Sequence, residues 1–284
     1  MKQTAVTFGP RDGLVGVLTE PEVEAREAPV MLLFNAGLLP RQGPHRMNVR
    51  IARVLAANGI ASLRLDMSGL GDSQVVGNDL GIRDQAVRDL KSAMDWLEQS
   101  HGARRFLAFG VCSGAINAWD LAQADERVAG VMMFDNFWYR SRWTRLVSVY
   151  KLIRDKGPSG LVRAIGYRLR KTEPSAQSDG ATLSALSEYH TLPTVASYAE
   201  VMQRLVDRGV DVHVVFGGSF LEYFSYEGQF RHVFGAYPFS SKVRCSFLPD
   251  VDHTFVRKQS QQRMLELIAD WVLSHLSRNE NGRG

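Results

Sequence analysis

The 284-residue chain is short of sulfur nucleophiles: it has two cysteines, Cys112 and Cys245. Lying far apart, each in a strand or turn context, they are expected to remain free thiols in a reducing compartment, with no stabilising disulfide. The sequence also lacks any apolar run approaching the roughly 18 residues that a membrane span needs. Its N-terminus, MKQTAVTFGPRDG, carries no hydrophobic stretch of the secretion-signal kind. A cytoplasmic location is the expectation from these two absences. No Cys/His cluster has metal-ligand spacing, so neither metal nor cofactor is expected. The Gly-rich run from Asp66 to Ser73, DMSGLGDS, lacks the lysine and spacing of a phosphate-binding loop, which leaves fold-specific turn geometry as its reading. A net charge of +4 is too small to argue for nucleic acid by itself, and no recognition motif accompanies it.

What is present is ordinary for a globular protein, with 45% hydrophobic and 23% charged residues. AVTFGPRDGLVGVLTEP reads as a hairpin around Pro10-Arg11-Asp12-Gly13. VMLLFNAG (30–37) is a continuous apolar run, the pattern of a strand buried on both faces of a parallel sheet. Met47, Ile51, Val54 and Leu55 then keep helical spacing up to Asn58-Gly59. IASLRLD, RRFLAFG, RVAGVMMFDN, VDVHVVFGG and KVRCSFLPD follow as strands, with a helix expected over 83–99 and a closing one carrying Met264, Ile268, Trp271, Val272 and His275. Such alternation predicts an α/β fold, a mostly parallel sheet with helices on both faces. It lapses between 137 and 205. The expected organisation is therefore a core over 1–136, a cap insertion over 137–205 and a second part of the core over 206–284.

The stretch LAFGVCSGAINAW (107–119) has the outline of a strand, a glycine-flanked turn and a helix. In the G-x-S-x-G turn that presents a nucleophile, flanking glycines let strand and helix pass closely, and the middle residue is exposed at the carboxyl edge of the sheet. Here that residue is Cys112, in Gly110-Val111-Cys112-Ser113-Gly114. The backbone N–H of Ser113 points with the helix N-terminus to where an oxyanion would form. A shifted motif centred on Ser113 is the weaker reading, because its window from Val111 to Ala115 lacks the paired glycines. A buried Cys acting only as a small apolar residue is the bland alternative.

With DMSGLGDS and DVDHTF, these residues make the chain resemble the α/β-hydrolase superfamily over nearly its full length outside the insertion. The resemblance implies Cys112 as nucleophile and His253, in the loop before the last helix, as general base. Of the seven histidines it alone has that context. The second oxyanion donor would come from the backbone of Gly37 or Leu38. The acid is the departure: Ser219 stands where Asp would be usual, with Glu222 three residues on, while Asp135 ends the preceding strand. Asp135 ranks above Glu222, and Asp252, adjoining His253, is third. Cysteine at this elbow also resembles polyhydroxyalkanoate synthases and dienelactone hydrolases, but no further motif carries either activity over.

Cysteines at helix N-termini beside an imidazolium favour the thiolate. A thiolate–imidazolium pair has moved its proton before attack and leans less on a carboxylate than Ser–His does. Sulfur also leaves more readily than alkoxide or amine, so a thioester donor is the best matched substrate, followed by activated esters and lactones. The expected activity is thioester or ester hydrolysis through an acyl-cysteine. Acyl transfer to an alcohol or amine is the runner-up, and a non-catalytic ligand-binding relative the third reading.

His45 and Arg46 can bind an anionic substrate group or simply begin a helix, and the sequence leaves both open. His213, His275 and Cys245 read as structural. Within the insertion, Arg140, Arg142, Arg145, Lys151, Arg154, Lys156, Arg163, Arg168, Arg170 and Lys171 face one acid, Asp155, amid Trp138, Tyr139, Trp143 and Tyr150. A basic amphipathic cap helix of this kind suits coenzyme A phosphates or an acidic acyl carrier protein. Peripheral contact with anionic lipid is its competitor, and a solvated helix face without a partner is the bland reading.

Overall fold

The structure, a computed structural model, describes residues 1–25, 28–76, 80–144, 146–147, 150, 153–154 and 192–281. The chain runs β1 (Lys2–Phe8), β2 (Leu14–Glu20), β3 (Val30–Leu33), α1 (Met47–Ala57), β4 (Ser62–Asp66), α2 (Ile82–His101), β5 (Phe106–Val111), α3 (Ser113–Ala124) and β6 (Val128–Phe134). It continues through α4 (Val195–Asp207), β7 (Asp211–Gly217), α5 (Gln229–Phe234), β8 (Arg244–Leu248) and α6 (Lys258–Asn281). Eight strands make one sheet in the order β1-β2-β4-β3-β5-β6-β7-β8. The opening hairpin and the β2–β4 pair are antiparallel; all other pairs are parallel.

Alternation along each strand divides the core into two layers. Met31 and Leu33 of β3 pack with Ile51 and Leu55 of α1 and with Met264, Ile268 and Trp271 of α6. Leu32 lies on the opposite face, in the layer that holds Leu90, Met94 and Leu97 of α2, Ile116 of α3 and Met202 and Leu205 of α4. The apolar run VMLLFNAG is strand only to Leu33; its last residues leave the sheet and build the loop above it.

Helix α4 falls within the 137–205 range expected for the cap insertion and packs on the sheet. Thr194 caps α4, its hydroxyl accepting from the Ser197 N–H at 3.1 Å. Tyr198, Met202 and Leu205 of that helix are buried in the sheet-facing layer. Residues from Val195 on therefore belong to the core, as the crossover between β6 and β7. Before the crossover, Thr144, Leu146, Val147, Tyr150, Ile153 and Arg154 are helical. Most of the basic stretch from Arg140 to Lys171 lies outside the described residues. The stem of the insertion is fastened to the core: Trp138 packs on Phe220 at 4.5 Å between centroids, Tyr139 Oη donates to the Pro193 carbonyl at 2.9 Å, and Gln229 Nε2 to the Tyr139 carbonyl at 2.9 Å.

Candidate active site

The turn from β5 into α3 is a single residue wide. Cys112 has φ 57° and ψ −121°, in the region that costs a non-glycine residue about 1–3 kcal/mol, and it is exposed. Its N–H donates to the Phe134 carbonyl at 3.0 Å, and its carbonyl accepts from Ala115 N at 3.0 Å, so neighbours on both sides hold the strained conformation. The flanking glycines are required by space. A Cβ on Gly110 would collide with the Gly114 carbonyl, and one on Gly114 would lie 2.7 Å from the Asn35 carbonyl oxygen.

Asp135 follows β6 at φ 51° and is 1% exposed. Its Oδ1 accepts from the Gly217 N–H at 2.7 Å, and its Oδ2 meets His253 Nδ1 at 2.8 Å. The loop that carries His253 is fixed by its own polar groups. The Asp252 carboxylate accepts from the Thr254 and Val256 N–H groups at 3.2 and 2.9 Å, and the His253 N–H donates to Ser219 Oγ at 2.8 Å. The ring lies edge-on to Phe220 at 4.9 Å and nearly parallel to Phe134 at 6.3 Å. Burial works against its protonation, but the hydrogen bonds to Asp135 and Cys112 and the negative charge behind them outweigh it, raising His253 to about 9. With Nδ1 on Asp135, Nε2 is the nitrogen left to bond Cys112.

The structure thus places Asp135 in a hydrogen bond with His253, whose titration is raised by Asp135 and by the nearby Cys112. Glu222 does not join this pair: the residue is exposed, and its carbonyl accepts from Arg140 Nε at 3.2 Å. Asp252 is occupied with backbone N–H groups. His45 and Arg46 are exposed, sit at φ 49° and 60°, and with Pro44 form the turn that opens α1. No hydrogen bond among the described residues joins either to Cys112 or His253.

Over the elbow lies the loop that follows β3. The Leu39 N–H donates to the Ala36 carbonyl at 3.1 Å, closing a tight turn with Gly37 at φ 58°. Asn35, 1% exposed, holds this turn from below: its Nδ2 donates to the Leu39 carbonyl and to Asp66, and its Oδ1 accepts from Met67 N. The Gly37 N–H points at the elbow and donates to Ser113 Oγ at 2.8 Å. Leu38 is 79% exposed at the turn's tip. Asp66, fully buried, accepts from Arg41 and Asp72, and its carbonyl accepts from Ser73 Oγ at 2.6 Å, so DMSGLGDS is a structural turn.

The roles of two supporting residues escape sequence reasoning. Ser219 stands where a carboxylate is usual and instead supports the backbone of His253, and Phe220 walls the imidazole. Their only sequence signal is position directly after β7. Cys245 is half-buried, and burial pushes its thiol up to about 12, which leaves it un-ionised. His213 is buried and held down to about 4 by desolvation and the charge of Arg244. No group of His, Cys, Asp and Glu among the described residues can hold a metal ion, and no described helix is long and apolar enough to cross a membrane.

The sheet order, the strand-to-helix elbow and the loop after the last strand define the α/β-hydrolase fold. The chain is similar over almost its whole length to solved proteins of that fold. An esterase from Thermogutta terrifontis shares 16% identity at a TM-score of 0.56, over 97% of this chain and 99% of that one. An esterase from Pyrococcus furiosus shares 13% at 0.56, over 96% and 91%. The proline iminopeptidase of Mycobacterium smegmatis shares 16% at 0.55, over 96% and 98%. No protein-family model matches the chain, and no curated protein matches it.

Proposed function

We propose that the chain is an acyl hydrolase that works through a covalent acyl-Cys112 intermediate. The observation that carries this reading is the line Asp135–His253–Cys112, ending on an exposed sulfur at a strained elbow. The Cys112 thiolate attacks the substrate carbonyl carbon; a C–S bond forms and the carbonyl π pair moves to oxygen. Collapse of this oxyanion breaks the bond to the leaving group, which takes the proton of the His253 imidazolium. Water then adds to the acyl-cysteine as neutral His253 accepts its proton. The second oxyanion collapses with loss of the thiolate, which restores the ion pair and releases the carboxylic acid.

A thioester is the favoured donor, because the attacking and departing sulfurs are matched and the intermediate does not revert preferentially. Esters demand full proton transfer from His253 to a poorer leaving group. Esterases among the proteins of similar fold are in keeping with acyl chemistry at this edge of the sheet. Coenzyme A or an acidic carrier docking on the basic insertion is the partner we propose for the acyl group.

Intact-mass measurement tests the reading. The protein is incubated with butyryl thioesters and p-nitrophenyl esters, beside Cys112→Ala and Cys112→Ser. A gain equal to the acyl group on the wild type alone is expected. An adduct that persists on Cys112→Ala moves the nucleophile elsewhere, and a wild type that never acylates returns the chain to a ligand-binding role. Product partition when an alcohol or amine competes with water separates hydrolysis from transfer.

A further inference from the structure

Gly37 and Leu38 are the backbone donors that the fold resemblance offers for the oxyanion, yet the Gly37 N–H is already committed to Ser113 Oγ at 2.8 Å. A serine hydroxyl that accepts a hydrogen bond keeps its own proton to give. Among the described residues, no protein acceptor takes the Ser113 proton. We infer that Ser113 is a catalytic residue that binds the oxyanion twice, through its backbone N–H and through its side-chain O–H, with Gly37 acting on the oxyanion only through that hydroxyl. This deepens the acyl-Cys112 reading and rests on it.

Three observations carry the assignment. Ser113 is the first residue of α3 and adjoins Cys112, so both of its donors leave a Cα next to the nucleophile. Its side chain is half-buried, and its Oγ is oriented from behind by the Gly37 N–H, which polarises the O–H toward whatever lies in front. Finally, the Gly37 turn is held by the Ala36–Leu39 pairing and by buried Asn35, so its N–H cannot swing away to meet substrate without breaking those bonds. A C–S bond is longer than a C–O bond, and a carbonyl bonded to sulfur stands further from the backbone than one bonded to serine. A side-chain donor has the reach that this geometry asks for.

The test separates acylation from alkylation of the same sulfur. Attack of Cys112 on p-nitrophenyl butyrate or the N-acetylcysteamine thioester of butyric acid builds an oxyanion; displacement of iodide from iodoacetamide does not. Ser113→Ala is expected to slow acylation roughly 10²- to 10³-fold, as loss of an oxyanion donor does, with the alkylation rate unchanged. Ser113→Thr, which keeps the hydroxyl, is expected to recover most of that loss. Acylation of Ser113→Ala at the wild-type rate, a Thr variant as slow as the Ala variant, or parallel loss of acylation and alkylation each overturns the assignment alone. A wild type that alkylates but accepts neither acyl donor overturns the acyl-cysteine reading, and the assignment with it.

Discussion

Burial and hydrogen bonding pull His253 in opposite directions, and the sign of the result sets what the cysteine can do. At about 9, the imidazole is protonated at neutral pH, the state from which the proposed reaction starts. The same shift bears on stability. Relative to an unfolded histidine near 6.5, the raised value stabilises the fold in full below about pH 6.5, and this contribution disappears as pH rises through about 9. The shift corresponds to roughly 3 kcal/mol. Asp135→Asn removes the negative charge facing Nδ1 and is expected to bring the His253 titration down toward its ordinary value, read from its ring resonances by NMR. Urea unfolding is expected to show a deficit for the variant that is largest near pH 6 and shrinks by pH 10; a pH-independent deficit would contradict the pairing. Under the acyl-Cys112 proposal, acylation should fall less than the about 10⁴-fold that the equivalent change costs a serine triad, because a thiolate–imidazolium pair leans less on the carboxylate than Ser–His does.

At the scale of elements, the site depends on how closely β5 and α3 cross. Gly110→Ala sets a Cβ against backbone that cannot rotate aside, so the variant is expected to lose about 1–3 kcal/mol or more and to lose elbow geometry with it. Thermal denaturation reads the first loss and iodoacetamide kinetics the second, and a variant with wild-type melting and thiol reactivity would show that the crossing has slack. This crossing was legible in the sequence because glycine spacing is a local signal, as were the apolar runs of the parallel strands and the apolar spacing of α1, α2 and α6. Helix α4 was not. Thr194 and the apolar positions Tyr198, Val201, Met202 and Leu205 carry a capped amphipathic pattern, but it follows a long polar, proline-containing stretch that reads as one insertion. Asp135 could be ranked from the end of its strand, while its contact with His253 spans 118 residues and follows from the sheet order, which no local pattern encodes. The Gly37–Ser113 bond is invisible for the same reason, since it depends on where a loop folds over an elbow 76 residues away.

Across the whole molecule the two edges of the sheet divide the charge. At the amino-terminal edge the charges pair with one another: Arg127 holds Asp95, Glu98 and Asp125 within 2.8 Å, and Asp211 gathers Arg244, Arg278 and His275. A cavity of about 810 Å³ also opens on that edge, lined by Glu20, Glu24, His101 and Arg105, remote from Cys112. The carboxyl edge carries Cys112, the exposed apolar residues Leu38 and Val256, and the start of the basic stretch, where the Arg140 guanidinium lies 4.6 Å over Tyr223 and that of Arg142 lies 5.1 Å over Trp143. The proposed docking of a polyanionic donor on the basic segment predicts attraction from a distance that a neutral donor lacks, and salt removes that advantage over a Debye length of about 10 Å at 0.1 M. Two thioesters with the same butyryl group then respond differently. Steady-state kcat/KM for butyryl-coenzyme A is expected to fall several-fold between about 0.02 and about 0.5 M salt, while that for the N-acetylcysteamine thioester stays level. Arg142→Glu should weaken the salt response of the first and leave the second unchanged. Equal salt profiles for both donors would mean that the basic segment faces something other than the acyl carrier.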